Sequence, residues 1–167
     1  MKFLRAIEPE DLDLMYIIEN DDSISLYSST TVPLSRYALK RYIEESRGDL
    51  FQDQQLRLTI MNPELGISCG FVDLTDFSPV NGHAQVGIVL LSEAQGRGMA
   101  TMALQELALY ATEQGLRQLY AVVSVHNIKG CRLFQRAGYD KTAILPGWLR
   151  SEEKFADAIL YTKQLTH

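Results

Sequence analysis

The chain has 167 residues, of which 46% are hydrophobic and 22% charged, and its net charge is -5. That length supports one domain with a real core, and the composition excludes a disordered or fibrous chain. The acidic balance excludes a general nucleic-acid binder, whose footprint would be basic, and suits a cationic substrate.

Residues 2–7, KFLRAI, read as a short strand. EPEDLDLMYIIEN then reads as a helix, with Pro9 and acidic residues in its first turn and Leu12, Met15, Tyr16 and Ile18 as its apolar stripe. DDSISLYSSTTVP is turn-rich and reads as a loop with a helical fragment. From Leu34 to Ser46 the spacing of Leu34, Tyr37, Ala38, Arg41 and Tyr42 predicts a helix with those residues on one side.

QLRLTIM is a strand, NPELG a turn, and ISCGFVDLTDF the returning strand. HAQVGIVLL reads as the next strand, and residues 98–114 as a helix with Met99, Met102, Ala103, Leu107, Tyr110 and Ala111 along one face. QLYAVVSV is a buried strand by its β-branched content, and NIKGCRLFQRA a helix with Asn127 as N-cap and Gly138 as stop. Strands around Tyr139–Leu145 and Ala158–Leu165 close the chain. The order predicts an α/β sheet, antiparallel early and mixed later, in a single domain spanning 1–167.

Cys69 and Cys131 stand far apart with no metal-ligand spacing around them, so a reducing compartment, the cytoplasm, is expected. The N-terminal stretch turns acidic before any apolar run develops, which is not a secretory leader. The apolar run VGIVLL is far too short to span a bilayer. Neither a metal, nor a membrane, nor nucleic acid is expected as a partner; self-association is left open.

The chemistry-bearing feature is QGRGMA, residues 95–100, where a strand ends and a helix begins. Glycine there gives a helix N-terminus whose orphan amides and dipole favour an anion, and bare backbone that a phosphate can approach. Arg97 between Gly96 and Gly98 adds a cation. A tight turn made only for packing explains the glycines equally well. No Lys-Ser/Thr pair follows, so this is not a Walker loop. Thr101 replaces the third glycine of the dinucleotide pattern, and the next strand ends in Val125-His126 rather than an acidic residue.

QGRGMA resembles the Q/R-x-x-G-x-G/A acetyl-CoA signature of the GNAT N-acetyltransferase superfamily. VHNIKGCRLFQRAGY is similar to that family's Asn-containing helix, and LRAIEPEDLDLMY to the opening of its ribosomal-protein and spermidine N-acetyltransferase branch. The resemblance covers nearly the whole chain. It implies the GNAT (acyl-CoA N-acyltransferase) fold, a mixed, mostly antiparallel central sheet flanked by helices, with acetyl-CoA as co-substrate.

By that resemblance Ile88, Val89 and Leu90 offer main-chain contacts to the pantetheine arm, and the Val89 N–H is the oxyanion donor. Gln95, Gly96, Arg97, Gly98, Met99 and Ala100 would hold the pyrophosphate, and Asn127 the cofactor arm. Lys129 and Arg132 stand where an outer phosphate would be, or are plain surface charges. The chemistry implied is thioester aminolysis. A free alkyl amine titrates near ~10.4, so only about one in a thousand is nucleophilic at neutral pH, and the site must remove its proton.

Two usual acid/base positions of the family are neutral here. Gln85 stands where a glutamate is frequent, and Phe134, which would border the cofactor, where a tyrosine acid is frequent. Asp73 is therefore the first candidate, as an amine-orienting carboxylate, with His83 and His126 as alternative relays. The expected acceptor is a small polyamine such as spermidine, bound by Asp73 and Asp76 together with Glu19, Asp21 and Asp22. A protein or peptide N-terminal amine is the second reading, and a non-catalytic acyl-CoA-binding module the third.

Overall fold

A computed structural model describes residues 1–25, 32–151 and 154–166. Its seven strands are β1 Leu4–Ala6, β2 Leu56–Asn62, β3 Ile67–Ser78, β4 His83–Leu90, β5 Gln118–Ser124, β6 Asp140–Ser151 and β7 Lys154–Gln164. The helices are α1 Leu12–Glu19, α2 Asp22–Ser25, α3 Arg36–Glu45, α4 Leu50–Asp53, α5 Met99–Glu113 and α6 Ile128–Arg136. The strands form one sheet in the order β1-β2-β3-β4-β5-β7-β6, antiparallel throughout except where β4 meets β5. The mixed, mostly antiparallel sheet expected from the sequence is present.

Alternation along the strands divides the apolar residues between two cores. Leu58, Val72, Val86 and Leu119 face α5 and α6, where Leu104, Leu107 and Phe134 meet them. On the opposite face, Phe71 packs under α1 and α3 with Met15, Ile18 and Leu39. This second core is small, and part of the same sheet face is polar.

Beside it lies a buried carboxylate. Asp11 accepts from both guanidinium ends of Arg5 at 2.7 and 2.9 Å, and from Thr59, Ser68 and the Glu8 N–H. The network fastens the segment before α1 to β1, β2 and β3. Burial works to raise the Asp11 pKa, but these donors outweigh it and hold the carboxyl below its usual range.

Three expectations change. The inward face of α3 carries Leu39, Tyr42 and Ile43, whereas Tyr37 and Arg41 are exposed. On α5 the stripe includes Leu104 and Ala108, while Met102 is largely exposed. In both helices several apolar stripes fit a 3.6-residue period, and only the sheet beneath selects one. The last two strands are also longer than expected, pairing as one hairpin with an irregularity between Leu145 and Leu149. No helix among the described residues is long and apolar enough to cross a membrane.

Candidate active site

β4 is paired with β3 along its length, but with β5 only over His83–Gln85 and Gln118–Tyr120. Beyond that point the two parallel strands separate. The Leu91 N–H donates to Cys69 O at 2.9 Å, which fixes the alternation: Leu91 and Val89 turn their peptide groups toward β3, Ile88 and Leu90 toward the gap. Close packing agrees, since a Cβ on Gly70 of β3 would come within 2.1 Å of Val89 O. Val89, expected as the oxyanion donor, therefore has its peptide groups on the β3 side. The open edge presents Ile88 N–H instead.

The glycine loop follows directly. Gly96 and Gly98 have φ of 77° and 78°, the left-handed region that glycine enters without a Cβ penalty. A Cβ at either would meet nothing within 4 Å, so packing does not explain them; backbone conformation and open approach do. Gln95 Nε2 donates to Leu90 O at 3.2 Å, which ties the loop to the end of β4. Met99 is buried and anchors the first turn of α5, whose leading N–H groups lack intrahelical acceptors. Gln95, Gly96, Arg97 and Gly98 are exposed and Ala100 half-buried.

Across the gap, Val125 N–H donates to Asp157 O on β7, so alternation turns the Ser124 peptide groups to the β4 side. The Cys131 thiol reaches Ser124 O at 3.7 Å. Asn127 is the N-cap of α6, its Oδ1 accepting from Gly130 N–H at 2.9 Å. Its amide Nδ2 remains a donor. Phe134, expected at the cofactor, is 5% exposed and packs into the core, edge-on to Tyr139 and stacked on Tyr161. Burial and a hydrogen bond with Cys131 push the Tyr161 hydroxyl up to about 12. Lys129 and Arg132 are exposed on α6, His126 follows β5, and His83 packs edge-on to Tyr120 at the closed end of the gap.

On the α1/α3 face a cleft of about 330 Å³ opens over β2 and β3. Asp73 and Glu19, two of the acceptor candidates named from the sequence, both line it. Between them stands Arg57, which sequence reasoning missed. Its Nε and one terminal nitrogen bind the two Asp73 oxygens at 2.7 and 2.8 Å, and its other terminal nitrogen binds Glu19 at 2.5 Å. Burial disfavours the guanidinium charge, but the two carboxylates outweigh it and raise its pKa. Tyr42 forms a wall of the cleft; burial raises its hydroxyl pKa, and Asp73, Asp53 and Glu19 add to the rise against the opposing Arg57.

Gly87 on β4 is paired with Asp73, and an added Cβ there would lie 3.9 Å from Asp73 Oδ2. The carboxylate thus stands over bare backbone at the edge of the gap. Asp21, Asp22 and Asp76 do not line this cleft. Asp21 accepts from the Ser23 N–H and hydroxyl at the start of α2, bonds that hold its carboxyl below the usual range. Asp76 sits exposed at φ 46° in the irregular part of β3 and acts on Tyr120 instead. The loop expected after α1 runs on into residues 26–31, which lie outside those described.

A family model described as an acetyltransferase (GNAT) domain matches residues 3–140. A spermidine N(1)-acetyltransferase of Escherichia coli (strain K12) is 28% identical over 141 residues, covering 81% of this chain and 71% of that protein. A putative ribosomal N-acetyltransferase of Bacillus subtilis (strain 168) is 26% identical over 154 residues, covering 81% and 76%. Among solved structures, spermidine N-acetyltransferase from Vibrio cholerae in complex with CoA and spermine superposes with a TM-score of 0.86 at 21% identity, over 97% of this chain and 94% of that one. Splayed strands, a glycine loop opening a helix and a family model spanning most of the sequence agree: this chain belongs to the GNAT acetyltransferase family.

Proposed function

We propose that this chain transfers the acetyl group of acetyl-CoA to a primary amine, with a polyamine such as spermidine as acceptor. The observation that carries this reading is Asp73, which stands over Gly87 at the edge of the strand gap and lines a cleft with a net negative triad. The cofactor side is supplied by the open β4 edge at Ile88 and Leu90, the amides and cation of Gln95–Ala100, and Asn127 Nδ2.

In the reaction the bound ammonium first gives one proton to solvent. The neutral amine nitrogen then bonds to the thioester carbonyl carbon, the carbon–sulfur bond breaks, and the second proton lost from nitrogen is balanced by the one the thiolate gains. Ile88 N–H, turned into the gap, is placed to stabilise the carbonyl oxygen as it gains charge. Asp73 and Glu19 each keep lone pairs beyond those engaged by Arg57, and these hold the ammonium before attack. Asp53 extends the negative field at Tyr42, which suits an acceptor with a second cationic nitrogen. Free Cys69 and Cys131 suit a reducing compartment, the cytoplasm.

A peptide N-terminus is the second reading, favoured by the apolar walls from Met15, Leu34 and Leu39. Thiol release from acetyl-CoA over spermidine, a monoamine of similar length and a short peptide with a free N-terminus tests both. Spermidine should turn over most efficiently. Preference for the peptide would replace the polyamine, and binding of acetyl-CoA without turnover on any amine would return the non-catalytic module.

A further inference from the structure

We infer that Arg57 is a positioning residue of this enzyme, which holds Asp73 in the one orientation that presents a carboxylate oxygen to the acceptor amine. The inference rests on the amine-acetyltransferase reading and names a residue that reading does not require. Alternation along β2 sends Leu56 and Leu58 into the main core and Arg57 to the cleft face. There its side chain is only 17% exposed, with the guanidinium carbon 5.3 Å from the Phe71 ring centre and 5.8 Å from that of Tyr42.

A structural tie between α1 and the sheet does not by itself call for this arrangement. Burying three charges is costly, and apolar side chains of similar volume often pack as well or better. What the triad adds is geometry. The planar fork grips both Asp73 oxygens, so the carboxylate plane is set rather than free to rotate. Oδ2 is the oxygen that stands beside bare Gly87, and its remaining lone pair is directed by the same grip. Glu19 holds the far end of the guanidinium and keeps the fork from turning. Without Arg57, Asp73 and Glu19 would be two like charges sharing one cleft, and they would move apart.

Lysine keeps the charge but lacks the fork; glutamine keeps a planar donor and loses the charge. Arg57→Lys and Arg57→Gln are therefore compared with the wild-type chain, and either variant that folds serves. The assay uses spermidine, or a hexapeptide with a free N-terminus where spermidine is not turned over. Acetyl-CoA affinity should stay within about twofold while kcat for the amine falls about 10- to 100-fold, the effect of a misplaced reacting group. Asp73→Asn combined with Arg57→Lys should lose no more than Asp73→Asn alone, because the two act as a unit. A folded variant within about threefold of wild-type kcat overturns the inference, as do additive losses or a fall in acetyl-CoA affinity in step with activity. Wild type inactive on both acceptors would instead overturn the amine-transfer reading and the inference with it.

Discussion

Gly130 lies directly beneath the Asn127 side chain: a Cβ at Gly130 would come within 2.6 Å of Nδ2 and 2.9 Å of Cγ. Asn127 can fold back to cap α6 only because that Cβ is absent. Gly130→Ala sets two effects of opposite sign against each other. Alanine gains ~1 kcal/mol of helix propensity, while the displaced cap loses ~1 kcal/mol. Thermal stability should therefore change little, and acetyl-CoA affinity should fall about tenfold as Nδ2 is moved, the worth of one hydrogen bond at ~1.4 kcal/mol. Thermal melts and calorimetry on the same sample check it.

The glycine loop gives a second prediction. Valine at Gly98 would sit at a left-handed backbone angle, at a strain of ~1–2 kcal/mol, and would put branched carbon where an anion approaches bare amides. Asparagine tolerates the same angle. Gly98→Asn should keep α5 and most of the stability, and Gly98→Val should weaken acetyl-CoA binding by at least about tenfold, one charge-assisted hydrogen bond. Unchanged calorimetric affinity in a folded valine variant would remove the anion-site assignment.

Charge in the proposed acceptor cleft gives the third. Asp73→Asn should lower kcat for every amine, and should raise KM for spermidine more than for a monoamine of equal length. Contacts of this kind contribute ~0.2–1 kcal/mol each and weaken with salt. The KM difference should therefore be about two- to fivefold at low ionic strength and should shrink as salt is added. Steady-state kinetics with both amines at two salt concentrations decides it. Equal, salt-insensitive efficiencies would move the acceptor assignment to a peptide N-terminus.

Asp11 gives the fourth, in stability against pH. Its folded pKa lies below the ordinary carboxylate value of ~3.9, so its contribution is fully present above that value. The contribution is lost as pH falls through the lower, folded pKa. Asp11→Asn weakens the charge-assisted hydrogen bonds to the part-exposed Arg5 and should cost about 1.5–3 kcal/mol at neutral pH. The variant's stability should then fall less steeply than wild type below about pH 4. Urea unfolding across the acid range measures both.

The glycine loop and the cap of α6, the candidate cofactor side, were legible in the sequence because their parts are local. QGRGMA is six consecutive residues, and glycine at positive φ followed by a helix can be recognised without knowing what surrounds it. Asn127 and Gly138 likewise bracket α6 from adjacent positions. Strand existence and order were readable from alternation and turn residues for the same reason. Where the period left several faces open, as on α3 and α5, sequence alone did not choose.

The candidate acceptor cleft was decided by tertiary structure. Arg57 is 16 residues from Asp73 and 38 from Glu19, and in the sequence it is only a charged residue within a strand. Register between β2 and β3 brings it against Asp73, and the packing of α1 onto the sheet brings Glu19 to it. Asp76 is three residues from Asp73, so strand alternation sets the two on opposite faces, and the irregularity in β3 leaves Asp76 exposed instead of turning it into the cleft. Val89 faces β3 and Ile88 the gap because the side taken by each peptide group of β4 depends on its hydrogen-bonded register with β3, and a one-residue step reverses the answer. Chain-local conformation is written in neighbouring residues, whereas register and helix docking are set by contacts between segments far apart in sequence.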